Sequence, residues 1–193
     1  FVQLSGVLKR TSTKLSKICN DLRLLSSGPR AGFGEINLPP MQPGSSIMPG
    51  KVNPVIPEVV NQVCFDVIGG DVTVTMAAEA GQLQLNAFEP IIAYRLLRSI
   101  DMLRAACLVL RERCVTGITP NADRMRMFVE NSIGIVTALV PVIGYEMATE
   151  VAKTALESGR GVFDIVLERG VLTRAQLDEI LNPAAMTAPR SVS

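Results

Sequence analysis

Apolar residues near the start of the chain recur in alternating steps of four and three. This spacing places them on one narrow stripe of an α-helix, as in the seam of a helix bundle. The stripe comprises Leu4, Leu8, Thr11, Leu15, Ile18, Leu22 and Leu25. A second stripe, in a helix predicted from about Pro90 to Cys114, comprises Leu96, Ile100, Leu103, Cys107, Leu110 and Cys114. Long helices with such seams pack side by side at shallow angles, so we predict an all-α long-helix bundle.

The segment between these two helices contains a loop and a further helix. Gly28 to Pro54 holds five glycines and six prolines in 27 residues and shows no helical or strand period. A loop of this length in a compact chain is uncommon unless it binds or covers something. A broad apolar face then predicts a helix over residues 55–68. Gly69 and Gly70 are expected to weaken or kink it before residues 71–79 continue or restart it.

The chain changes character after residue 118, where the predicted helices become short. Thr119 is expected to cap the next helix, with Pro120 at its first position. Thr173 to Gln176 has the spacing of a capping box. We therefore predict two domains. Residues 1–118 form the C-terminal part of a central bundle with a loop at 36–53, and residues 119–193 form a small helical domain.

Composition and charge exclude several partners. The net charge is +1, and no run of like charges suggests a nucleic-acid or lipid surface. The four cysteines form no C-x-x-C pair and there is no histidine, so the usual zinc spacings are absent and we predict no metal and no cofactor. The longest apolar stretch is too short to span a bilayer. We expect reduced thiols in a cytoplasmic protein without a membrane segment, and a chain that is a fragment of a longer polypeptide.

The loop residues from Gly44 to Pro54 suit anion recognition. They combine the hydroxyls of Ser45 and Ser46 with the ammonium group of Lys51 and the amide of Asn53. Lys51 and Asn53 precede a predicted helix start, where amide hydrogens and the positive end of the helix dipole also favour a carboxylate. A small dicarboxylate fits such a group of donors. By composition alone, a plain connecting loop is the alternative.

The string GSSIMPGKVNP resembles the signature loop of the fumarase and aspartase superfamily, whose pattern is G-S-S-x-x-P-x-K-x-N. Every specified position is matched. Further segments that resemble the superfamily are residues 17–34, 55–65, 76–90 and 131–137. Within the superfamily, VIPEVVNQVCF after the loop and QLQLN at residues 82–86 look like aspartase.

The resemblance implies an ammonia-lyase that converts L-aspartate to fumarate and ammonia. Ser45 would be the base that takes a proton from the carbon beside the side-chain carboxylate. Ser46, Lys51, Val52 and Asn53 would bind the substrate and the dianionic intermediate. The glutamate that matches Glu58 pairs with a histidine elsewhere in the site, and this chain has no histidine.

The resemblance also implies a homotetramer with composite sites, each built from three subunits. This chain would supply one of the three site segments, so we expect it to be inactive by itself. Two alternatives stay open at this point. One is a class II fumarase, which adds water to fumarate. The other is a non-catalytic helical oligomerisation module.

Overall fold

The computed structural model describes residues 1–43, 48, 50–182 and 186. The chain divides into two compact units, Phe1–Asn121 and Ala122–Ser193. The first unit contains the long helices α1 (Val2–Leu25), α2 (Val55–Glu79) and α3 (Glu89–Arg113). It also contains strand β1 (Ile36–Asn37), a 3₁₀-helix (Val115–Gly117) and strand β2 (Thr119–Pro120). The predicted all-α, long-helix class is confirmed.

Helix α2 is the central element of the first unit because it packs against both α1 and α3. Most of the core lies towards the start of α2 and comprises Cys19, Val60, Cys64, Val67, Leu103, Ala106, Leu110 and Cys114. A smaller cluster towards its end comprises Val74, Ala77, Ile92 and Leu96. The turn between α2 and α3 is held by Asn86, whose Nδ2 donates to the carbonyl of Ala77 at 2.9 Å. The bundle is therefore packed along the length of α2.

The buried face of α1 differs from the predicted leucine stripe. Its buried residues are Ser5, Ser12, Ser16 and Cys19. Leu8, Leu15 and Leu22 are partly buried at the edge of this face, whereas Leu4 and Ile18 are exposed. Small side chains let two helix backbones approach closely, so they occupy the line of contact between the helices. On α3, Leu103 is buried but Ile100 is 40% exposed.

Two polar contacts tie α1 to α2. Asn61 is buried in α2, and its Nδ2 donates to Ser16 Oγ at 2.8 Å and to the Ser16 carbonyl at 3.1 Å. Further along, Ser5 Oγ donates to Asp71 Oδ1 at 2.6 Å and Lys9 Nζ lies 3.0 Å from Asp71 Oδ2. Burying a polar group without a partner is costly. These contacts therefore favour one alignment of the two helices.

Of the two outcomes expected after Gly69 and Gly70, the helix continues and does not restart: α2 runs without a break from Val55 to Glu79. Gly70 is buried facing Arg95 of α3. Asp71 follows immediately and is held by α1 through Ser5. A glycine inside a helix costs roughly 0.5–1 kcal/mol relative to alanine. Packing on both sides of α2 outweighs that local preference.

The predicted helix cap at Thr119 and Pro120 is wrong. These residues form β2, which pairs antiparallel with β1 in the register Ile36↔Pro120 and Asn37↔Thr119. The next helix begins at Ala122. The pairing partner, β1, lies more than 80 positions away in sequence, so local residue preferences could not predict the pairing. Since β2 pairs with β1, the first unit continues beyond residue 118.

The second unit consists of short helices around its own core. They are α4 (Ala122–Glu130), a 3₁₀-helix (Ile133–Leu139), α5 (Val140–Ile143), α6 (Tyr145–Ser158), α7 (Val162–Glu168) and α8 (Arg174–Ile180). Leu139, Val151, Ile165, Val166 and Leu177 lie at the centre of the core. The predicted capping box is present at the start of α8, where Thr173 and Gln176 bond to each other's backbone. Gly159 ends α6 in the left-handed conformation that glycine favours.

Within the described residues, no single helix is both long and apolar enough to cross a bilayer. One bent pair, Ala122–Glu130 with Ile133–Ile143, meets the length and composition criteria when taken together, with a bend of 74°.

The buried position of Leu103 leads to a first prediction. Leu103→Ala removes a side chain from the main core, so the free energy of unfolding should fall by roughly 2–5 kcal/mol in urea titrations. Leu156 lies on α6 and is 72% exposed. Leu156→Ala is the matched control and should change the value by less than about 0.5 kcal/mol. Equal losses in the two variants would contradict the burial described for α3.

The Asp71 contact predicts a pH dependence. The hydrogen bond from Ser5 and the contact with Lys9 hold the pKa of Asp71 below its usual value of 3.8. A lowered folded-state pKa stabilises the fold above the unfolded-state pKa, and this stability is lost as pH falls through the folded-state pKa. Asp71→Asn should therefore be less stable than the parent at pH 7, and the gap should close below about pH 3.8.

Urea unfolding across this pH range measures the effect. Asp101→Asn, on the exposed side of α3, is the matched control and should leave the curve unchanged. A gap between Asp71→Asn and the parent that stayed constant down to the lowest pH would contradict the charge contribution.

Candidate functional site

The signature loop, residues 36–53, leaves and rejoins the bundle at one place. We call residues 36–39 its leading stem. Residues 50–54, which join the loop to the start of α2, are its trailing stem. Leu38 and Pro39 of the leading stem line a small void together with Pro54 to Pro57, Arg113 and Cys114. Leu38 also packs against the main core. The two stems therefore meet where α2 begins and α3 ends.

The leading stem packs closely against the residues that follow α3. A Cβ atom added at Gly117 would lie 2.5 Å from Pro39 Cγ, far inside van der Waals contact. Only glycine fits at this point without moving Pro39. Strand pairing between β1 and β2 holds the same stem from its other end. The leading stem is thus fixed on both sides by contacts distant in sequence.

The trailing stem begins with a turn. The backbone N–H of Lys51 donates to the carbonyl of Met48 at 3.2 Å, and Gly50 has a φ of 80°. That positive φ favours glycine. Lys51 and Val52 are exposed, and Asn53 and Glu58 are half-buried. The turn therefore presents the lysine ammonium and the asparagine amide just before the helix.

Three of the predicted site residues flank the start of α2. Lys51 and Asn53 precede its first turn, and Glu58 lies within that turn. Among the residues that the structure describes, no hydrogen bond or ion pair holds their side chains. Polar groups of both charges are thus available at one helix end. The lysine and amide suit a carboxylate, and Glu58 suits a cationic or hydrogen-donating partner.

The helix start offers fewer amide hydrogens than the sequence suggested. Val55 N–H donates to the Asn53 carbonyl at 2.9 Å, and Glu58 N–H donates to the Pro54 carbonyl at 3.2 Å. Pro57 has no N–H, which leaves Ile56 as the remaining donor in residues 55–58. An anion at this helix end would therefore depend mainly on side chains.

Ser45 and Ser46, the predicted base and its neighbour, lie outside the described residues. Their roles stay predictions. The described residues nearest to them in sequence are Pro43 on one side and Met48 on the other.

The three buried cysteines do not offer a rival nucleophile. Cys19, Cys64 and Cys114 are buried free thiols, and Cys107 is an exposed free thiol. Burial raises the pKa of Cys19 to about 11, with the neighbouring thiols Cys64 and Cys114 adding to the rise. Burial also raises the pKa of Cys64 and Cys114. A thiol with a raised pKa carries little thiolate at neutral pH and is unreactive.

Metal coordination finds no support in the described part of the chain. No group of three or more histidine, cysteine, aspartate or glutamate side chains there has the geometry to hold a metal ion.

Comparison with protein families gives two matches. The family described as Lyase matches residues 1–69, which include the signature loop, and the family described as Fumarase C C-terminus matches residues 135–188. The aspartate ammonia-lyase of Pseudomonas aeruginosa is 65% identical over 192 residues, 100% of this chain and 40% of that protein. The chain therefore spans about 40% of the length of this relative.

Solved structures agree with this relationship. A Brucella melitensis protein titled fumarate lyase:delta crystallin, bound to cobalt, is 60% identical with a TM-score of 0.91, covering 98% of this chain and 41% of that one. The class II fumarase of Schistosoma mansoni is 38% identical with a TM-score of 0.88. The match covers 98% of this chain and 40% of the fumarase. The chain belongs to the fumarase and aspartase superfamily. The match to the fumarase C-terminal family fits a C-terminal portion of such a lyase.

Sequence reasoning missed several residues that position the loop of this superfamily chain. Asn37, Gly117 and Asn121 hold or accommodate the leading stem. Their partners lie more than 75 positions away in sequence, so no local period or spacing connects them. The available signal was weak: each is a turn-forming residue beside a predicted loop.

Proposed function

We propose that this chain is part of an aspartate ammonia-lyase, which converts L-aspartate to fumarate and ammonia. The observation that carries the proposal is the 65% identity to an aspartate ammonia-lyase over the whole of this chain, with the signature loop inside the match. The available Lys51 and Asn53 side chains at the start of α2 support a carboxylate substrate. Because the chain spans only part of its relatives, the activity belongs to the longer polypeptide that contains it.

The reaction begins with removal of a proton from the carbon beside the side-chain carboxylate of aspartate. We assign this step to the Ser45 oxygen, which acts as an alkoxide and becomes a neutral hydroxyl. The electron pair left behind passes into the carboxylate and forms a dianionic enediolate. When the pair returns to form the carbon–carbon double bond, the bond to nitrogen breaks, ammonia leaves and fumarate remains.

Stabilisation of the dianion is the largest demand on the site. Donors aimed at a developing oxyanion are worth roughly 3–4 kcal/mol each in other enzymes. We assign this task to Lys51, Asn53 and the Ser46 hydroxyl, with Val52 contacting the substrate between them. A positive charge nearby also favours the ionised form of Ser45. The same lysine would therefore assist both the base and the intermediate.

Glu58 has a supporting role in this proposal. It is half-buried in the first turn of α2, where the helix dipole favours a carboxylate. The histidine expected to pair with it is absent from this chain. It would come from another segment of the site.

We further propose that the enzyme is a cytoplasmic homotetramer with composite active sites. Each of the three long helices exposes large apolar side chains. They include Leu4, Val7 and Ile18 on α1, Phe65, Val72 and Met76 on α2, and Tyr94, Leu97 and Ile100 on α3. Large exposed apolar patches are typical of interaction sites. A bundle shared between subunits would cover it. The free thiols agree with a reducing compartment.

A class II fumarase is the second candidate, because a fumarase shares the fold with a TM-score of 0.88. The two enzymes share the dicarboxylate portion of the substrate, so the loop does not separate them. Identity does favour aspartate, at 65% against 38%.

Activity assays decide between the two. The full-length polypeptide should convert aspartate to fumarate without an added cofactor, seen as rising ultraviolet absorbance, whereas the isolated 193-residue chain should not. Turnover of malate and not aspartate would move the assignment to fumarase. Absence of both activities in the full-length protein would favour a non-catalytic helical module.

Ser45→Ala and Lys51→Ala in the full-length protein should fail in different ways. Removing Ser45 deletes the proposed base but leaves the carboxylate donors, so kcat should fall by orders of magnitude while KM changes little. Removing Lys51 takes away a charge that contacts the substrate in both the ground and transition states. Both kcat and KM should therefore worsen.

Lys14→Ala is the matched control, since Lys14 is exposed on α1 and outside the proposed site. Its kinetics should equal those of the parent. Near-normal turnover in Ser45→Ala would show that Ser45 is a turn residue. The base would then lie elsewhere in the protein.

A further inference from the structure

The side chains of Asn37 and Asn121 form a reciprocal amide pair at the leading stem. Asn37 Nδ2 donates to Asn121 Oδ1 at 2.7 Å, and Asn121 Nδ2 donates to Asn37 Oδ1 at 3.0 Å. Two such bonds between planar amides fix their relative position and orientation. The pair lies beside the two-residue pairing of β1 with β2.

The remaining hydrogens of both amides are also used. Asn121 Nδ2 donates to the Gly34 carbonyl at 2.8 Å, and Asn37 Nδ2 donates to Thr119 Oγ1 at 3.2 Å. A carboxamide has two N–H donors, so each side chain uses both of them. In addition, the Asn121 backbone N–H donates to the Glu35 carbonyl at 2.8 Å. Asn121 thus bonds to three positions on either side of Ile36, namely 34, 35 and 37.

Burial indicates that the pair does little for the core. Asn37 is exposed and Asn121 is half-buried. The three long helices pack through cores that contain neither residue. Two exposed or half-buried amides whose N–H donors are all engaged instead restrict where the chain leaves the bundle. The residues that follow immediately are Leu38 and Pro39, which begin the loop.

We propose that Asn37 and Asn121 are positioning residues that fix the leading stem of the signature loop for catalysis. This inference rests on the proposed lyase function. The trailing stem, with Lys51 and Asn53, is held separately by its turn and by α2. Loss of the amide pair should therefore disturb the leading stem, which precedes Ser45, more than the groups that bind the carboxylate. Small misplacements of reacting groups have large effects on rate.

The kinetic test uses the full-length protein with aspartate as substrate. Asn121→Ala should lower kcat about tenfold or more and leave KM within about twofold of the parent value. The reason is that the leading stem, which precedes Ser45, is misplaced while carboxylate binding persists. Asn121→Asp keeps the size and the acceptor but loses both side-chain donors, and should match Asn121→Ala. Asn37→Ala should have a smaller effect, since Asn121 keeps its bonds to residues 34 and 35.

The double variant adds a readout that general weakening would not produce. Because the two amides bond to each other, Asn37→Ala with Asn121→Ala should lower kcat hardly more than Asn121→Ala alone. Thermal unfolding midpoints should stay close to that of the parent. Asn131→Ala is the matched control: among the described contacts, the Asn131 side chain makes one local hydrogen bond, to the Met127 carbonyl at 2.7 Å. Its kcat should be unchanged.

Unchanged kcat in Asn121→Ala and Asn121→Asp, with an active parent, would overturn the inference and leave the lyase function intact. A fall in kcat that tracked a lowered unfolding midpoint, with additive effects in the double variant, would also overturn it. A parent without aspartate turnover would instead overturn the proposed function. The two failures are therefore distinguishable.

Discussion

The close contact between α1 and α2 underlies the rest of the first unit. It depends on serines and a cysteine along α1, where larger side chains would keep the backbones apart. The hydrogen bonds from Asn61 to Ser16 and from Ser5 to Asp71 set how the helices align along their length. With α2 fixed against α1 in this way, its other face packs on α3. The start of α2 and the end of α3 then meet, which is where the signature loop begins and ends.

The loop illustrates how a rigid bundle presents polar groups. The leading stem is anchored by Leu38 against the core and by Pro39 against Gly117. On the other side, Gly50 turns the chain into α2. Within the trailing stem, no described partner engages the side chains of Lys51 and Asn53. They remain open to a ligand at the start of α2.

The elements that were predicted correctly depend on interactions between residues close together in sequence. Helices α1 and α3 were predictable because their apolar periods extend over about five turns or more. The capping box at Thr173 was predictable because its partners are three residues apart. By contrast, the pairing of Thr119 with Asn37 and the continuity of α2 through Gly69 and Gly70 depend on contacts from distant segments. Local preferences pointed to a helix cap at Thr119 and to a weakened helix at the two glycines. Strand pairing replaces the cap, and α2 continues through the glycines.

For the candidate site, the sequence alone determined the residue types and their order. The resemblance to the superfamily loop predicts Ser45, Ser46, Lys51 and Asn53 as site residues. The same resemblance adds Val52 and Glu58, which the loop pattern itself does not specify. Only the tertiary structure decided where the loop is anchored, which stripe of α1 is buried, and how few amide hydrogens α2 offers to an anion. These properties depend on which surfaces meet across the fold. A periodic pattern shows that a helix has an apolar stripe, but the size of the facing side chains decides which stripe the neighbouring helix covers.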